Sequence, residues 1–447
     1  MRISALKYTV LTWVCALIML IFFIVPFQGL LTVWGAHIFG HYTAIRLWDE
    51  VILALSIIGT LYLLITDHKI RFNTLSRRLV WIIFAYIFLN IAWGIIAYEG
   101  HEVTAKALGY GLIVNLRYPI FFLITWSITL RMSRLHAHWQ KLVIWPAIVV
   151  IVIGLLEIFI LPKDILKHFG YGPNTIPVME TINNNKNYLR FPSTLRGANP
   201  LGAYLIIPIS VMTVLITRNK RNWQRILFLV GAAIVLFYTF SRSAWLGAIL
   251  SMVIIYFTGK IDKKHQRILT AAGGILVLGL IILGLVFHNN TRFQNFVLHT
   301  QSHSAVQSTS DGDHISAFKY GLHQVVHAPL GRGPGTAGPA SLYNNNKPRI
   351  AEDYFIQIGQ ELGWLGLILF LLINVGVGYL LWLRRDDPLA LSLFASLIGI
   401  TLVNLLLYAW SDDTLSYIWW GLAGIAMVPD MRLKNLKAEE AEDKNKE

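Results

Sequence analysis

The chain of 447 residues is 55% hydrophobic and only 14% charged, with a mean hydropathy of +0.56 and repeated apolar windows of bilayer-spanning length. That composition excludes a soluble globular enzyme and gives a polytopic membrane protein. The formal charge of +14 belongs, in so apolar a chain, to cytoplasmic loops, which excludes a nucleic-acid partner.

Twelve spans are predicted in chain order, at residues 8–33, 47–66, 79–98, 107–130, 142–161, 200–217, 226–240, 243–258, 268–287, 356–383, 389–408 and 414–428. Placing the N-terminus inside assigns Lys69, Arg71, Arg77, Arg78, Arg131, Arg134, Arg218, Lys220, Arg221, Arg225, Lys260, Lys263, Lys264, Arg267, Arg384 and Arg385 to the inner face. With the tails this puts 24 Lys and Arg inside and 13 outside, leaving Arg117 in a span, although the outer loops are longer. The expected fold is an all-α polytopic membrane protein of about 12 transmembrane helices, N-in/C-in, with a large helical extracytoplasmic loop. Residues 1–287 carry spans one to nine with outer loop 162–199, residues 288–353 form the large loop, 354–428 carry the last three spans, and 429–447 are a charged cytoplasmic tail.

The first apolar stretch is long enough to span and lacks a small-residue cleavage site, so it reads as a retained helix. The single cysteine, Cys15, lies inside it, which leaves the outer loops without an internal disulfide or a thiolate metal site. No GxxxxGK[ST] and no dinucleotide fingerprint is present, and the inner loops are short. ATP hydrolysis by this chain is therefore not expected.

The two long outer loops are where chemistry is expected. The first closes with YLRFPSTLRGANPLGAY (188–204), placing Arg190 and Arg196 near the bilayer surface. Guanidinium forks suit phosphate oxygens, and equally suit anchoring to lipid headgroups. Arg242 sits in a turn of about three residues between two spans, against the positive-inside trend. Arg117, midway along a span, requires a partner or a wet cavity, and Glu157 in the next span is a possible one. That pair reads either as structural or as part of the reaction.

Three motifs then resemble one family: TFSRSAWLG (239–247), PLGRGPGTAG (329–338) and AEDYFIQIGQELGWLG (351–366). Together they look like the O-antigen ligase and O-antigen polymerase superfamily, specifically over residues 188–370 and only in architecture elsewhere. The resemblance implies an integral-membrane glycosyltransferase without cofactor or metal, using a polyprenyl-diphosphate-linked oligosaccharide on the outer face of the bacterial cytoplasmic membrane. Ligases of the family resemble His-Asn where this chain has Glu352-Asp353, and glutamate-bearing versions are similar to polymerases. A further family arginine position is His314 here.

No nucleotide is available outside the membrane, so glycosidic bond formation there needs a donor already activated, and a lipid diphosphate leaving group meets that need. The protein must stabilise charge on the departing diphosphate, with Arg190, Arg196, Arg242 and Arg332 as candidates, and must take the acceptor's proton, with Glu352 first and His314 second. Arg117 and Asp353 are supporting residues. Glu352 and Asp353 have a second reading as N-terminal caps of the following helix, and His314 as an exposed residue of a surface helix at 313–327. Glu361 reads as a packed or hydrogen-bonded structural residue. The run at 331–335 reads either as a backbone N–H nest for phosphate or as a tight turn. Asp311-Gly-Asp313 has the form of a metal-binding DxD, and several histidines lie nearby, but no second ligand pair supports them and no metal is expected.

Three functions follow in order: a polymerase of lipid-linked repeat units (O-antigen, capsule or exopolysaccharide), a ligase moving glycan to a lipid core, wall polymer or protein, and a transporter of lipid-linked glycans. Membrane lipid, a flippase and a chain-length regulator are the expected partners. A transporter should show paired broken helices or inverted repeats, which the sequence does not display.

Overall fold

The computed structural model describes residues 5–182, 185–218, 223–259, 310–350, 353–429 and 436. Eleven predicted spans fall on helices: α1 (Ala5–Ile24) with α2 (Gln28–Phe39), α4 (Trp48–Thr66), α6 (Arg78–Glu99), α7 (Ala105–Thr129), α8 (Arg134–Phe159), α9 (Ala198–Arg218), α10 (Trp223–Tyr238), α11 (Arg242–Thr258), α13 (Tyr354–Leu383), α14 (Pro388–Asn404) and α15 (Asp413–Ala426). The predicted span at 268–287 lies outside the described residues. Short helices α3 (Tyr42–Ile45) and α5 (His68–Leu75) join spans, and α12 (Ser310–His327) matches the surface helix expected at 313–327. Seven helical stretches of the described residues are long and apolar enough to cross a membrane, and the protein is a multi-pass membrane protein.

The sequence did not foretell a two-stranded antiparallel hairpin, β1 (Glu180–Ile182) with β2 (Asn185–Arg190), which pairs Glu180 with Arg190. It departs from an otherwise helical architecture because two short strands can satisfy one another's backbone in a loop without any sheet beyond them.

α15 is the axis of the bundle. At 14 residues it is short, but all of it is buried. Tyr417 meets Phe121 at 5.1 Å and Trp420 meets Tyr118 at 5.1 Å between ring centroids, packing α15 on α7. Gly421 and Gly424 permit that approach, since a Cβ at either would overlap Phe121 or Phe122 and Thr125. α11 and α14 close in the same way at Gly247 and Gly399, where Ser251 Oγ donates to Ala395 O at 3.0 Å. On the outside, Ile58, Ile65, Phe88 and Val375 are exposed, as a hydrocarbon solvent requires.

The two ends of the bundle differ. At one, Lys7 Nζ donates to Thr66 O at 2.6 Å, Arg131 lies 3.5 Å from Asp67, Arg218 donates to Arg385 O, and Arg384 donates to Ala426 O. These contacts join loops that the charge count assigns to a single face. At the other end the backbone is irregular. Pro26 interrupts the first helix in a 3-10 turn, Val25–Phe27, and the freed carbonyls accept from hydroxyls: Val25 O from Thr414 and Pro26 O from Thr194. Residues 191–197 are sunk into the gap, with Ser193 Oγ donating to Val150 O and Leu30 N donating to Thr194 O.

α13 is broken at Gly363, whose φ of 65° and ψ of −163° are non-helical. The turn at 329–335 fills the break, with Trp364 N donating to Pro329 O at 2.9 Å. A Cβ at Gly363 would overlap that same carbonyl, so glycine is required there for both conformation and space.

Candidate active site

Arg117, 3% exposed in α7, is held at the irregular end. Its guanidinium contacts Asp413 and the carbonyl of Ser411, and lies 3.3 Å from Glu50. Pairing with Glu157 is overturned. Glu157 lies on α8 against the sunken loop and accepts from Ser193 N at 2.8 Å, whereas Arg117 faces α4 and α15. Asp413 also receives Arg196, Nη1 to Oδ2 at 3.1 Å, and Tyr417 donates to Glu50 at 2.6 Å. Burial opposes the Arg196 charge, but Asp413 and Asp412 more than offset it and hold the guanidinium above its usual pKa. Asp49, 1% exposed beside Glu50, has no hydrogen-bond partner for either side-chain oxygen among the described residues.

Sequence reasoning missed Glu50, Asp412 and Asp413. The signal was present as two acidic pairs, Asp49-Glu50 and Asp412-Asp413, each at the start of an apolar segment. It reads equally well as first-turn dipole matching, and Asp412 does cap α15 by accepting from Leu415 N at 3.1 Å.

Arg190 and the turn carrying Arg242 are brought together. Arg190 Nε donates to Thr239 O at 2.8 Å and Nη2 to Asn199 Oδ1 at 2.5 Å, while Glu180 lies 3.9 Å from Nη1. Burial lowers the Arg190 pKa, and also pushes that of Glu180 up. Arg242 is the first residue of α11 and half-buried. α9 abuts that turn at Gly202, where a Cβ would meet Ala244 and Ser241. A small cleft opens beside Arg190, lined by Glu157, Lys163, Met179, Leu189, Phe191 and others.

Arg332 belongs to a separate group. Its N donates to Gln360 O at 3.0 Å, and across the turn Arg349 N donates to Ser341 Oγ while Arg349 O accepts from Gly338 N. Burial, and next the Arg332 charge, lower the Arg349 pKa. Among the described residues neither arginine has an ion-pair partner. Arg349 was missed because nothing in its local sequence sets it apart.

The phosphate-nest reading of 331–335 is overturned in favour of the turn. Gly331 N donates to Ala328 O, Arg332 N to Gln360 O, Gly333 N to Glu361 O and Gly335 N to Glu361 Oε1 at 2.9 Å, and Pro334 has no N–H. No backbone N–H of the run is left for an anion. Glu361 is the structural residue expected, 0% exposed and also accepting from Asn115 Nδ2 at 2.7 Å.

Asp353 caps α13, accepting from Ile356 N at 2.9 Å, and burial pushes its pKa up to about 6. Tyr354 then packs on Phe370, which packs on Tyr118 beside Arg117. Glu352 lies outside the described residues. His314 is on the α12 backbone, with its side chain outside them. Among the described residues no three His, Cys, Asp or Glu converge as a metal site.

No curated protein matches this chain. A family model described as O-antigen ligase matches residues 226–371, from α10 into α13. The matched stretch carries Arg242, Arg332, Arg349, Asp353 and Glu361, while Arg117, Arg190 and Arg196 precede it. That match covers the stretch where the turn at 329–335 docks into the broken α13, and it supports membership of the O-antigen ligase/polymerase superfamily.

Proposed function

We propose that the protein is a metal-independent inverting glycosyltransferase that polymerises polyprenyl-diphosphate-linked oligosaccharide repeat units at the extracytoplasmic face of a bacterial cytoplasmic membrane. The observation that carries this reading is the anchoring of Arg190 on the turn that bears Arg242, at the end of the bundle away from the basic loops. A diphosphate arriving at that turn would be met by both arginines, and apolar side chains with Lys163 line the small cleft beside Arg190.

In the reaction the acceptor hydroxyl attacks the anomeric carbon of the donor and the bond from that carbon to the diphosphate oxygen breaks. The electron pair leaves with the diphosphate, where Arg190 and Arg242 offset the new charge, while Arg332 holds the donor from its separate place beside Arg349. The hydroxyl proton passes to Glu352, with His314 as the second candidate. Arg196 and Arg117 hold the wall behind this place through Asp413, with Asp353 ordering the start of α13. One displacement inverts the anomeric centre without a covalent enzyme intermediate. A flippase supplies the donor in this scheme, and a chain-length regulator acts on the product.

The description of the matching family favours a second reading, transfer of finished glycan to a lipid core, wall polymer or protein. Purified protein reconstituted with lipid-diphosphate-linked oligosaccharide and no other acceptor separates the two. The polymerase gives a ladder of lipid-linked multimers that Glu352→Gln abolishes. Absence of a ladder, with one transfer event on adding an acceptor, would establish the ligase instead.

A further inference from the structure

α12 presents an apolar stripe that no part of the described protein covers. Phe318 is 42% exposed, Leu322 44%, Val326 55%, and Leu330, just past the helix, 70%. These residues recur every four positions, so on a helix of 3.6 residues per turn they form one slowly winding line. On one side of the line lies the seam with α13, where Val325 packs on Ile356 and faces Gly359. On the other side run Lys319, His323 and His327, all exposed. The two imidazoles stack at 3.8 Å between centroids, and His327 Nδ1 lies 2.8 Å from His323 O.

The order around the helix is therefore packed seam, exposed apolar line, basic row. The line is also continuous with a larger surface. Pro329 O accepts from Trp364 N, and from that point α13 exposes Trp364, Leu365, Ile368 and Val375 toward the hydrocarbon. An apolar strip joined to a lipid-facing helix and bordered by cationic and N–H-bearing side chains matches a bilayer boundary, with acyl chains below and phosphate groups above.

We propose that α12 lies in the lipid headgroup layer, with Phe318, Leu322, Val326 and Leu330 in the acyl boundary and Lys319, His323 and His327 on the phosphates of anionic phospholipids. The helix then couples the bilayer surface to the turn at 329–335, which follows it directly and locks into the break of α13. This inference does not depend on the reaction assigned above.

Cys15 is buried, so an introduced cysteine is the accessible thiol for labelling. Val326→Cys, and Leu322→Cys on the same line in case the first fails to fold, carry an environment-sensitive fluorophore in nanodiscs whose lipids are brominated in the acyl chains. Lys347→Cys on the exposed loop serves as control. The expected result is quenching at 326 or 322 and none at 347, deepened when anionic phosphatidylglycerol replaces phosphatidylcholine. Lys319→Glu should remove that deepening and keep the basal quenching. Quenching at 326 by aqueous iodide alone would overturn the proposal, equal quenching in both lipids would overturn its headgroup half, and cross-linking of 326 between two copies would replace the lipid with a second protein.

Discussion

Asp413 joins Arg117 to Arg196. One carboxylate oxygen meets the buried guanidinium of α7 and the other lies 3.1 Å from the guanidinium of the sunken loop. A single side chain at the start of the central helix thus ties the bundle core to the sunken loop, which directly follows the strand that carries Arg190.

Asp413→Asn should therefore destabilise strongly. It leaves Arg117 with Glu50 as its remaining carboxylate and Arg196 without its nearest partner, and breaking a buried ion pair costs about 3–5 kcal/mol. Thermal unfolding in detergent reads this. Arg117→Met combined with Asp413→Leu should lose less than the two single changes summed, because the Arg117–Asp413 pair is then removed whole and neither member is stranded by loss of the other.

Glu361 is expected to act through backbone acceptance. Glu361→Gln keeps an oxygen for Gly335 N and should retain most stability, whereas Glu361→Ala strands Gly335 N and leaves Asn115 Nδ2 with Asn90 Oδ1 alone. Gly363→Ala should be worse than its small size suggests, costing about 1–3 kcal/mol from the left-handed backbone alone. Protease resistance of the 329–350 segment, followed by mass spectrometry, distinguishes the three variants.

Asp353 makes stability depend on pH with a definite sign. Burial raises its pKa from 3.8 to about 6, so the folded state holds the proton more tightly than the unfolded chain. Its contribution is fully present below 3.8 and is lost as the pH rises through about 6. Asp353→Asn, which still caps the helix, should flatten the dependence of the unfolding temperature across that window. An unchanged slope would remove Asp353 from the account.

The arginines can be ranked by what already neutralises them. Arg242→Lys keeps the charge and loses the fork, and should slow glycan transfer by about tenfold or more if phosphate is bound bidentately. Arg332→Gln should weaken donor binding more than it changes the unfolding temperature, since Arg332 has no ion-pair partner among the described residues. Arg196→Gln should do the reverse, because it removes a partner of Asp413.

What was legible in the sequence was one-dimensional. Apolar length located eleven spans that fall on helices, the charge asymmetry grouped loops that hydrogen bonds join at one end of the bundle, and the three motifs led to the matching family. Apolar length and charge depend on transfer from water to hydrocarbon, a property of each segment taken alone. The partners of Arg117, the fate of the glycine-rich turn and the presence of Arg349 beside Arg332 were not legible. Each depends on which helix faces which: Arg117 finds Asp413 some 296 residues away, and the turn spends its N–H groups on a helix break that only Gly363 permits. The sequence by itself determined that there is a membrane bundle with charged groups in costly places, because burying a charge demands compensation wherever it sits. Only the tertiary structure decided which opposite charge supplies it, because that choice is made by packing between segments remote in the chain.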